Sequence, residues 1–186
     1  MKTIKEEKIN EVILKKSKFI SIIKQINSID DFKLFLDDIK NKYPNATHYC
    51  YAFVINNLEK ANDDGEPSNT AGLPILNTLK NNDLKNVACI VVRYYGGVKL
   101  GTGGLIRAYR KGAGEVIKNN VIELFEMEEL TIEFDYEDSK DMFFILDKYN
   151  AIIKEKEFDE KIKVRFEIIK EEVKNLKKEL LKATII

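Results

Sequence analysis

Residues 87–111 read VACIVVRYYGGVKLGTGGLIRAYRK. The opening six, Val87 to Val92, form an unbroken apolar and mostly β-branched run, the pattern of a buried strand. The chain turns polar at Arg93, passes Tyr94 and Tyr95, and enters a loop holding Gly96, Gly97, Gly101, Gly103 and Gly104. Glycine loses the most entropy on ordering, so this density implies positive φ angles or a backbone that something approaches closely. The period then becomes helical. Leu105, Ala108, Tyr109, Gly112, Ala113, Val116 and Ile117 share one face, and Arg107, Arg110 and Lys111 the other. Thr102 is the expected N-cap.

Strand, glycine turn and helix start together form an anion-binding geometry, because the first-turn N–H groups and the helix dipole point into the turn. The turn is neither G-x-G-x-x-G nor G-x-x-x-x-G-K-[ST], and Gly101-Thr102-Gly103-Gly104 lacks the lysine of a phosphate loop. From spacing alone, the plainer reading is tight helix-on-sheet packing with a few surface cations.

Upstream, residues 3–26 alternate apolar and charged side chains. Two strands are expected, Lys5–Leu14 and Ser17–Ile26, joined at Lys15-Lys16, where Lys15, Lys16 and Lys18 make a basic spot. Ser28, with Asp31 three residues on, predicts a capped helix with Phe32, Phe35, Leu36 and Ile39 inward, ending before Pro44. Ala46–Ile55 reads as an aromatic-rich strand. His48 is the only histidine, so no His cluster supports a metal site. A packed or hydrogen-bonded strand histidine is the expected state, and His48 is also the best single acid/base candidate. Asn56–Asn69 reads as a polar loop. Its Asp63, Asp64 and Glu66 could offer oxygen ligands or a partner contact, against the plainer reading of a flexible acidic turn. A helix is expected over residues 70–81, with Ala71, Pro74, Ile75 and Leu79 inward.

Several blocks resemble the YigZ/IMPACT family: Arg93-Tyr94-Tyr95-Gly96-Gly97, Leu100 to Leu105, and Arg107-Ala108-Tyr109. Asp63-Asp64-Gly65-Glu66-Pro67 with Thr70-Ala71-Gly72 is similar to the family's acidic loop. Ala46 to Phe53 resembles its AxHxCxAF strand, and Lys15-Lys16-Ser17-Lys18-Phe19-Ile20 its basic N-terminal strand. Many members carry a second His where Tyr49 stands and a Trp where Tyr51 stands. The likeness is strong over residues 1–120. It implies an α+β chain of two domains. The first, residues 1–124, resembles the α/β sandwich named after the second domain of a small-subunit ribosomal protein. The second, residues 125–186, is similar to the ferredoxin-like last domain of elongation factor G. It also implies translation-linked regulation and nucleic-acid binding, and supplies no catalytic reaction.

The last third agrees by pattern. Val121–Glu128 reads as the join. Leu130, Ile132 and Phe134 alternate as a strand, and Ser139–Tyr149 reads as a helix. Ala151–Phe158 and Lys161–Ile169 read as strands, Glu171–Lys182 as a helix, and Ala183–Ile186 as a last short strand. That order is βαββαβ. The fold hosts many functions and names none.

With 31 basic and 31 acidic residues in 186, the formal net charge is zero, so a polyanion site must be a local patch. No apolar run approaches bilayer-spanning length, and the N-terminal stretch has no uninterrupted apolar core, so neither a membrane partner nor a signal peptide is expected. Cys50 and Cys89 lack metal-ligand spacing and are expected as buried, reduced thiols in a cytoplasmic protein.

The leading reading is a translation-associated protein that binds RNA or the ribosome through Lys16, Lys18, Arg93, Tyr94, Tyr95, Lys99, Arg107, Arg110 and Lys111. Cations and helix starts would hold phosphates, and Tyr94, Tyr95 and Tyr109 would offer stacking faces. One alternative is a protein-binding regulator of a translation-stress pathway that uses Asp63, Asp64 and Glu66. Another is an enzyme acting on a phosphorylated small molecule. No nucleophile–base pair or metal quartet is legible, so no catalytic residue, metal or cofactor is assigned.

Overall fold

The computed structural model describes residues 1–181 and 183–186. The chain divides into two compact units, Met1–Leu124 and Phe125–Ile186.

The first unit runs β1 (Lys2–Ile4), β2 (Lys8–Leu14), β3 (Ser17–Gln25), α1 (Ile29–Lys42), β4 (His48–Ile55), β5 (Leu58–Asn62), α2 (Gly72–Asn81), β6 (Val87–Tyr94), α3 (Thr102–Ile117) and β7 (Val121–Glu123). Five strands form an antiparallel sheet in the order β2-β3-β6-β4-β5. Its central strand, β6, is buried on both faces, which is why its sequence is continuously apolar instead of alternating. Val87, Cys89 and Val91 pack with α2 and α3, beside Ile75, Leu79, Ala108, Tyr109 and Val116. Ala88, Ile90 and Val92 pack with Phe32, Phe35 and Ile39 of α1 on the other face. The sheet is therefore the middle of three layers.

The expected capping box closes α1: Ser28 Oγ accepts from Asp31 N–H, and the Asp31 carboxylate accepts from Ser28 N–H at 3.0 Å. The β2–β3 hairpin pairs Leu14 with Ser17, leaving Lys15 and Lys16 as a two-residue turn, both at positive φ. Such turns are usually Asn-Gly, so two lysines are a local departure from turn preference.

The sequence reading needs three corrections here. Asn56–Asn69 is not one loop. Its first half forms β5, paired with β4 from Tyr51↔Asn62 to Ile55↔Leu58. This is an exposed edge strand, so it carries Glu59 and Lys60 and shows no apolar alternation. The first predicted strand, Lys5–Leu14, begins later, as β2 at Lys8, and Lys2–Ile4 forms a separate strand that pairs with Val121–Glu123. The start of the predicted join, Val121–Glu123, thus belongs to the first unit, and the division between the units falls inside that join, after Leu124. Asn120 locks this closure: its backbone carbonyl accepts from Lys5 N–H, and its side chain exchanges hydrogen bonds with the Glu6 backbone.

The second unit runs β8 (Met127–Phe134), α4 (Ser139–Lys148), β9 (Ile152–Phe158), β10 (Ile162–Ile169), α5 (Val173–Glu179) and β11 (Thr184–Ile185). The sheet order is β11-β8-β10-β9, antiparallel throughout. Ile132, Phe134, Val164, Phe166 and Ile168 pack against Met142, Leu146 and Leu176 from the helices. The helix predicted over Glu171–Lys182 begins as a 3₁₀ turn and is α-helical from Val173; residue 182 lies outside the described residues.

Ser28→Ala removes the acceptor for the Asp31 amide. It is expected to cost about 1 kcal/mol in urea-unfolding free energy, with no change in the far-ultraviolet circular dichroism of the folded protein.

Candidate functional site

The alternation that puts Val87, Cys89 and Val91 toward α2 and α3 also puts Arg93 there. A cation thus occupies a core-facing position, only 4% exposed. Arg93 Nη1 donates to Glu66 Oε1 at 2.6 Å, and Tyr109 Oη donates to the same oxygen at 2.7 Å. Arg93 Nη2 donates to Ser17 Oγ at 3.3 Å. The guanidinium sits 5.3 Å from the Phe19 ring centroid and 5.4 Å from that of Tyr95. Its Nε–H is buried with no acceptor among the described residues. Strand β6, the acidic loop, the β2–β3 hairpin and α3 therefore meet at one guanidinium.

The acidic loop is built, not loose, which corrects the flexible-turn reading. Asp63 takes over the N-terminus of α2: Oδ1 accepts from Ala71 and Gly72 N–H at 3.0 and 2.8 Å, and Oδ2 from Asn69 N–H. The Asp64 carboxylate accepts from Tyr49 N–H, and Glu66 is buried on Arg93. The three carboxylates thus face three separate partners. His48 Nδ1 lies 2.8 Å from the Asp64 carbonyl. A carbonyl can only accept, so Nδ1 carries the proton. Nε2 then faces Glu66 Oε2 at 3.8 Å.

Cys50, Cys89 and Tyr109 line the packed interior. Cys50 Sγ lies 3.0 Å from the Asp63 carbonyl and 3.3 Å from Tyr109 Oη. Burial pushes the Cys50 thiol up, with the nearby carboxylates adding to it. Burial likewise pushes the Tyr109 phenol far above its ordinary value. Cys89, in the sheet core, is pushed up by burial to about 12.

Above this network lies a cleft of about 490 Å³, lined by Thr47, His48, Glu66, Pro67, Arg93, Tyr95, Lys99, Leu100, Gly101, Thr102 and Leu105. One wall is the start of α3. Its cap is Gly101, not Thr102 as expected from sequence. Gly101 stands at φ 74°, a region that side chains rarely adopt, so residue 101 cannot readily be a Ser or Asp cap, and no side chain caps the helix. No acidic residue lies in its first turn. Gly96 has a different reason: a Cβ there would collide with the Lys16 carbonyl, so the glycine lets the hairpin turn dock against the loop. Gly96 N–H donates to Ser17 Oγ at 3.2 Å.

The nine residues proposed from sequence divide by place. Arg93, Tyr95 and Lys99 line the cleft. Lys16 does not line it; its backbone carbonyl packs against Gly96 in the adjoining turn. Arg107, Arg110 and Lys111 are exposed on the outer side of α3, three and four residues apart, hence on one helix face. Lys18 and Tyr94 are paired with each other across β3 and β6, on the face toward α1. Lys18 is bridged to Glu11 at 2.8 Å, and the Tyr94 hydroxyl donates to the Pro44 carbonyl. Sequence reasoning missed Ser17 and Thr47 as site residues, and it took Tyr109 for a stacking face, whereas Tyr109 is fully buried and its hydroxyl is spent on Glu66. It also placed Arg93 among surface cations, although the period-two series Val87, Cys89, Val91 already pointed it inward.

An antiparallel five-stranded sheet with helices on both faces, followed by a βαββαβ unit, is an α+β architecture. Residues 15–117 match the model of the Impact N-terminal domain, and the chain belongs to the IMPACT family. It is 43% identical over 138 residues to IMPACT family member YvyE of Bacillus subtilis (strain 168), covering 72% of this chain and 64% of that protein. It is 36% identical over 110 residues to IMPACT family member YigZ of Escherichia coli (strain K12), covering 56% and 53%. The chain thus spans between half and two thirds of the length of these curated relatives. A solved structure described as the crystal structure of a hypothetical protein shares the fold over 100% of this chain and 95% of its own, with TM-score 0.66 and 24% identity.

Two outcomes are expected from this network. Glu66→Ala strands the buried guanidinium and should cost about 3–5 kcal/mol in urea unfolding, whereas Tyr109→Phe, which removes the hydroxyl that donates to Glu66 and accepts from the Cys50 thiol, should cost about 1–3 kcal/mol. The second concerns pH. In the unfolded chain the cysteines ionise near 9, whereas folded Cys89 holds its proton to about 12. Its stabilising contribution is full below pH 9 and drains between those values as the unfolded state alone sheds the proton. The urea midpoint should fall as pH rises from about 9 toward about 12, less steeply in Cys89→Ala.

Proposed function

We propose that the chain is a translation-associated regulatory protein that binds RNA or the ribosome through the basic surface around the glycine turn. The observation that carries this reading is the state of the cations there. Lys99, Arg107, Arg110 and Lys111 have no carboxylate within 4.0 Å among the described residues; Lys99 precedes a helix start left uncapped by any side chain, and the other three lie along the exposed face of that helix. Free cations and first-turn amides are the groups that hold phosphates. Charge is also unequally divided: Met1–Leu124 carries 19 Lys and Arg against 14 Asp and Glu, and Phe125–Ile186 carries 12 against 17. The second unit's βαββαβ order resembles the last domain of elongation factor G, which supports a ribosomal partner by likeness of fold. A cytoplasmic location follows from the same reading.

The acidic-loop alternative draws no support from the geometry, since Asp63, Asp64 and Glu66 are engaged within the first unit.

The test is binding to ribosomes and to fluorescent RNA at low and moderate salt, beside a variant with Arg107→Glu and Arg110→Glu. Binding should weaken with salt, because phosphate contacts release counterions, and should be lost in the variant. Salt-insensitive binding, or equal binding by both proteins, would reject the reading.

A further inference from the structure

Strand β2 is the least guarded sheet edge among the described residues. We infer that it is an interface for a second copy of this chain, whose own β2 pairs with it antiparallel and joins the two five-stranded sheets into one. This goes beyond the reading above and does not depend on it.

The strand stands at the end of its sheet and pairs with β3 alone, in continuous register from Lys8↔Ile23 to Leu14↔Ser17. It holds no proline, and its ladder has no bulge. Two large apolar side chains on it face water: Ile9 is 42% exposed and Ile13 67%. Its two charges are engaged within the chain. Lys8 Nζ donates to the Lys118 carbonyl, and Glu11 bridges Lys18 at 2.8 Å. Sheet edges are usually blunted by shortness, charge or bulges, and the other edges here are. Strand β5 is short and carries Glu59 and Lys60. Strand β9 carries Lys154, Glu155, Lys156 and Glu157 and shifts register between Arg165 and Phe166. Strand β11 has only two residues.

The backbone of β2 is set to pair. The residues flanking a two-residue hairpin turn exchange both hydrogen bonds, and bonded pairs alternate from there. Leu14, Val12, Asn10 and Lys8 therefore spend their N–H and C=O groups on β3, whereas Ile13, Glu11 and Ile9 point theirs outward. The side chains of these last three lie opposite Lys18, Ile20 and Ile22, on the α1 face of the sheet. Helix α1 buries Ile20 and Ile22 but leaves Ile9 and Ile13 open.

The occupant is a second copy because β2 complements itself. A two-fold axis through Glu11 is the register that overlaps the two strands over their whole length, Lys8 to Leu14. It brings outward-pointing backbone to outward-pointing backbone and keeps the side chains of one face together. Ile9 of each copy then meets Ile13 of the other, so each exposed isoleucine is covered by another. Just beyond the strands, Glu7 of each copy comes toward Lys15 of the other. One contact opposes pairing: the two Glu11 carboxylates meet at the axis, each with its own Lys18 beside it. Moving the axis to Asn10 or Val12 shortens the overlap and sets an isoleucine against each Glu11. A strand from another protein would have to supply this pattern, whereas a second copy supplies it by symmetry.

The test is sedimentation equilibrium of the full chain from micromolar to millimolar concentration, beside Ile13→Lys, with amide hydrogen exchange read residue by residue across the same series. The mass should rise from 21.5 kDa toward twice that value. Ile13→Lys alters an exposed side chain, so it should keep the native circular dichroism and melting temperature, yet raise the dissociation constant about tenfold or more. Exchange at Ile9, Glu11 and Ile13 should slow in step with the dimer fraction, while Lys8, Asn10 and Val12, already bonded to β3, change little. A chain that stays monomeric at millimolar concentration overturns the proposal and leaves the edge to an extended strand of a different protein. A dimer that Ile13→Lys leaves intact, or one in which Ile9, Glu11 and Ile13 still exchange freely, also overturns it, because the contact then lies on another surface.

Discussion

The ion pair between Arg93 and Glu66 is the constraint on which the first unit's functional end depends. Removing two charges from water costs several kcal/mol per ion, and only close pairing with further hydrogen bonds offsets it. Here the pair is 2.6 Å apart, and Tyr109 and Ser17 supply the extra bonds. The cost imposes geometry. The acidic loop must arrive where Glu66 meets β6, the hairpin must bring Ser17 alongside, and α3 must present Tyr109. A loop without regular structure is thereby fixed as firmly as a strand. Asp63 extends the effect, since its carboxylate caps α2 and so ties the same loop to the helix layer.

Around that pair the chain departs from local preference several times within a small space. A helix begins on a left-handed glycine without a side-chain cap. Two lysines occupy a turn with positive φ at both positions. A buried guanidinium nitrogen lacks a partner. The capping box of α1 and the alternation of β10 follow the rules, whereas α4 and α5 also lack side-chain caps and Thr3, Asn10 and Ser21 also hold unpaired buried polar atoms.

The regular scaffold was legible because periodicity reports burial directly. The inward face of α3, from Leu105 to Ile117, could be read residue by residue, and so could the two-sided burial of β6. Edge strand β5 and the β1–β7 pairing were not legible, since a short exposed strand has no apolar signature and pairing over such sequence distance leaves no local trace. At the site, residue types were visible but their directions were not. Arg93 could have been placed inward by counting two residues at a time along β6. Glu66 could not, because nothing in Asp63-Asp64-Gly65-Glu66-Pro67 distinguishes a carboxylate that finds a buried cation from one that faces water. Lys18 and Tyr94 failed to join the cleft for the complementary reason: each is one residue out of phase with the face that lines it.

Zero formal charge over the whole chain conceals a division that matters more than the total. The first unit is net positive and the second net negative. In the second unit the strand cations are largely engaged: Arg165 bridges Glu129 and Glu155, Lys154 bridges Glu167, and Lys163 bridges Glu157. Exposed bridges of this kind contribute little stability, but they lower the outward field of the sheet. On α3 the reverse holds, because Arg107, Arg110 and Lys111 share a face with no carboxylate close enough to bridge them among the described residues. Over the roughly 10 Å reach of electrostatics at moderate salt, a polyanion responds to such local balances and not to the sum over the chain. In the first unit that local balance is positive along the exposed face of α3 and at its uncapped start.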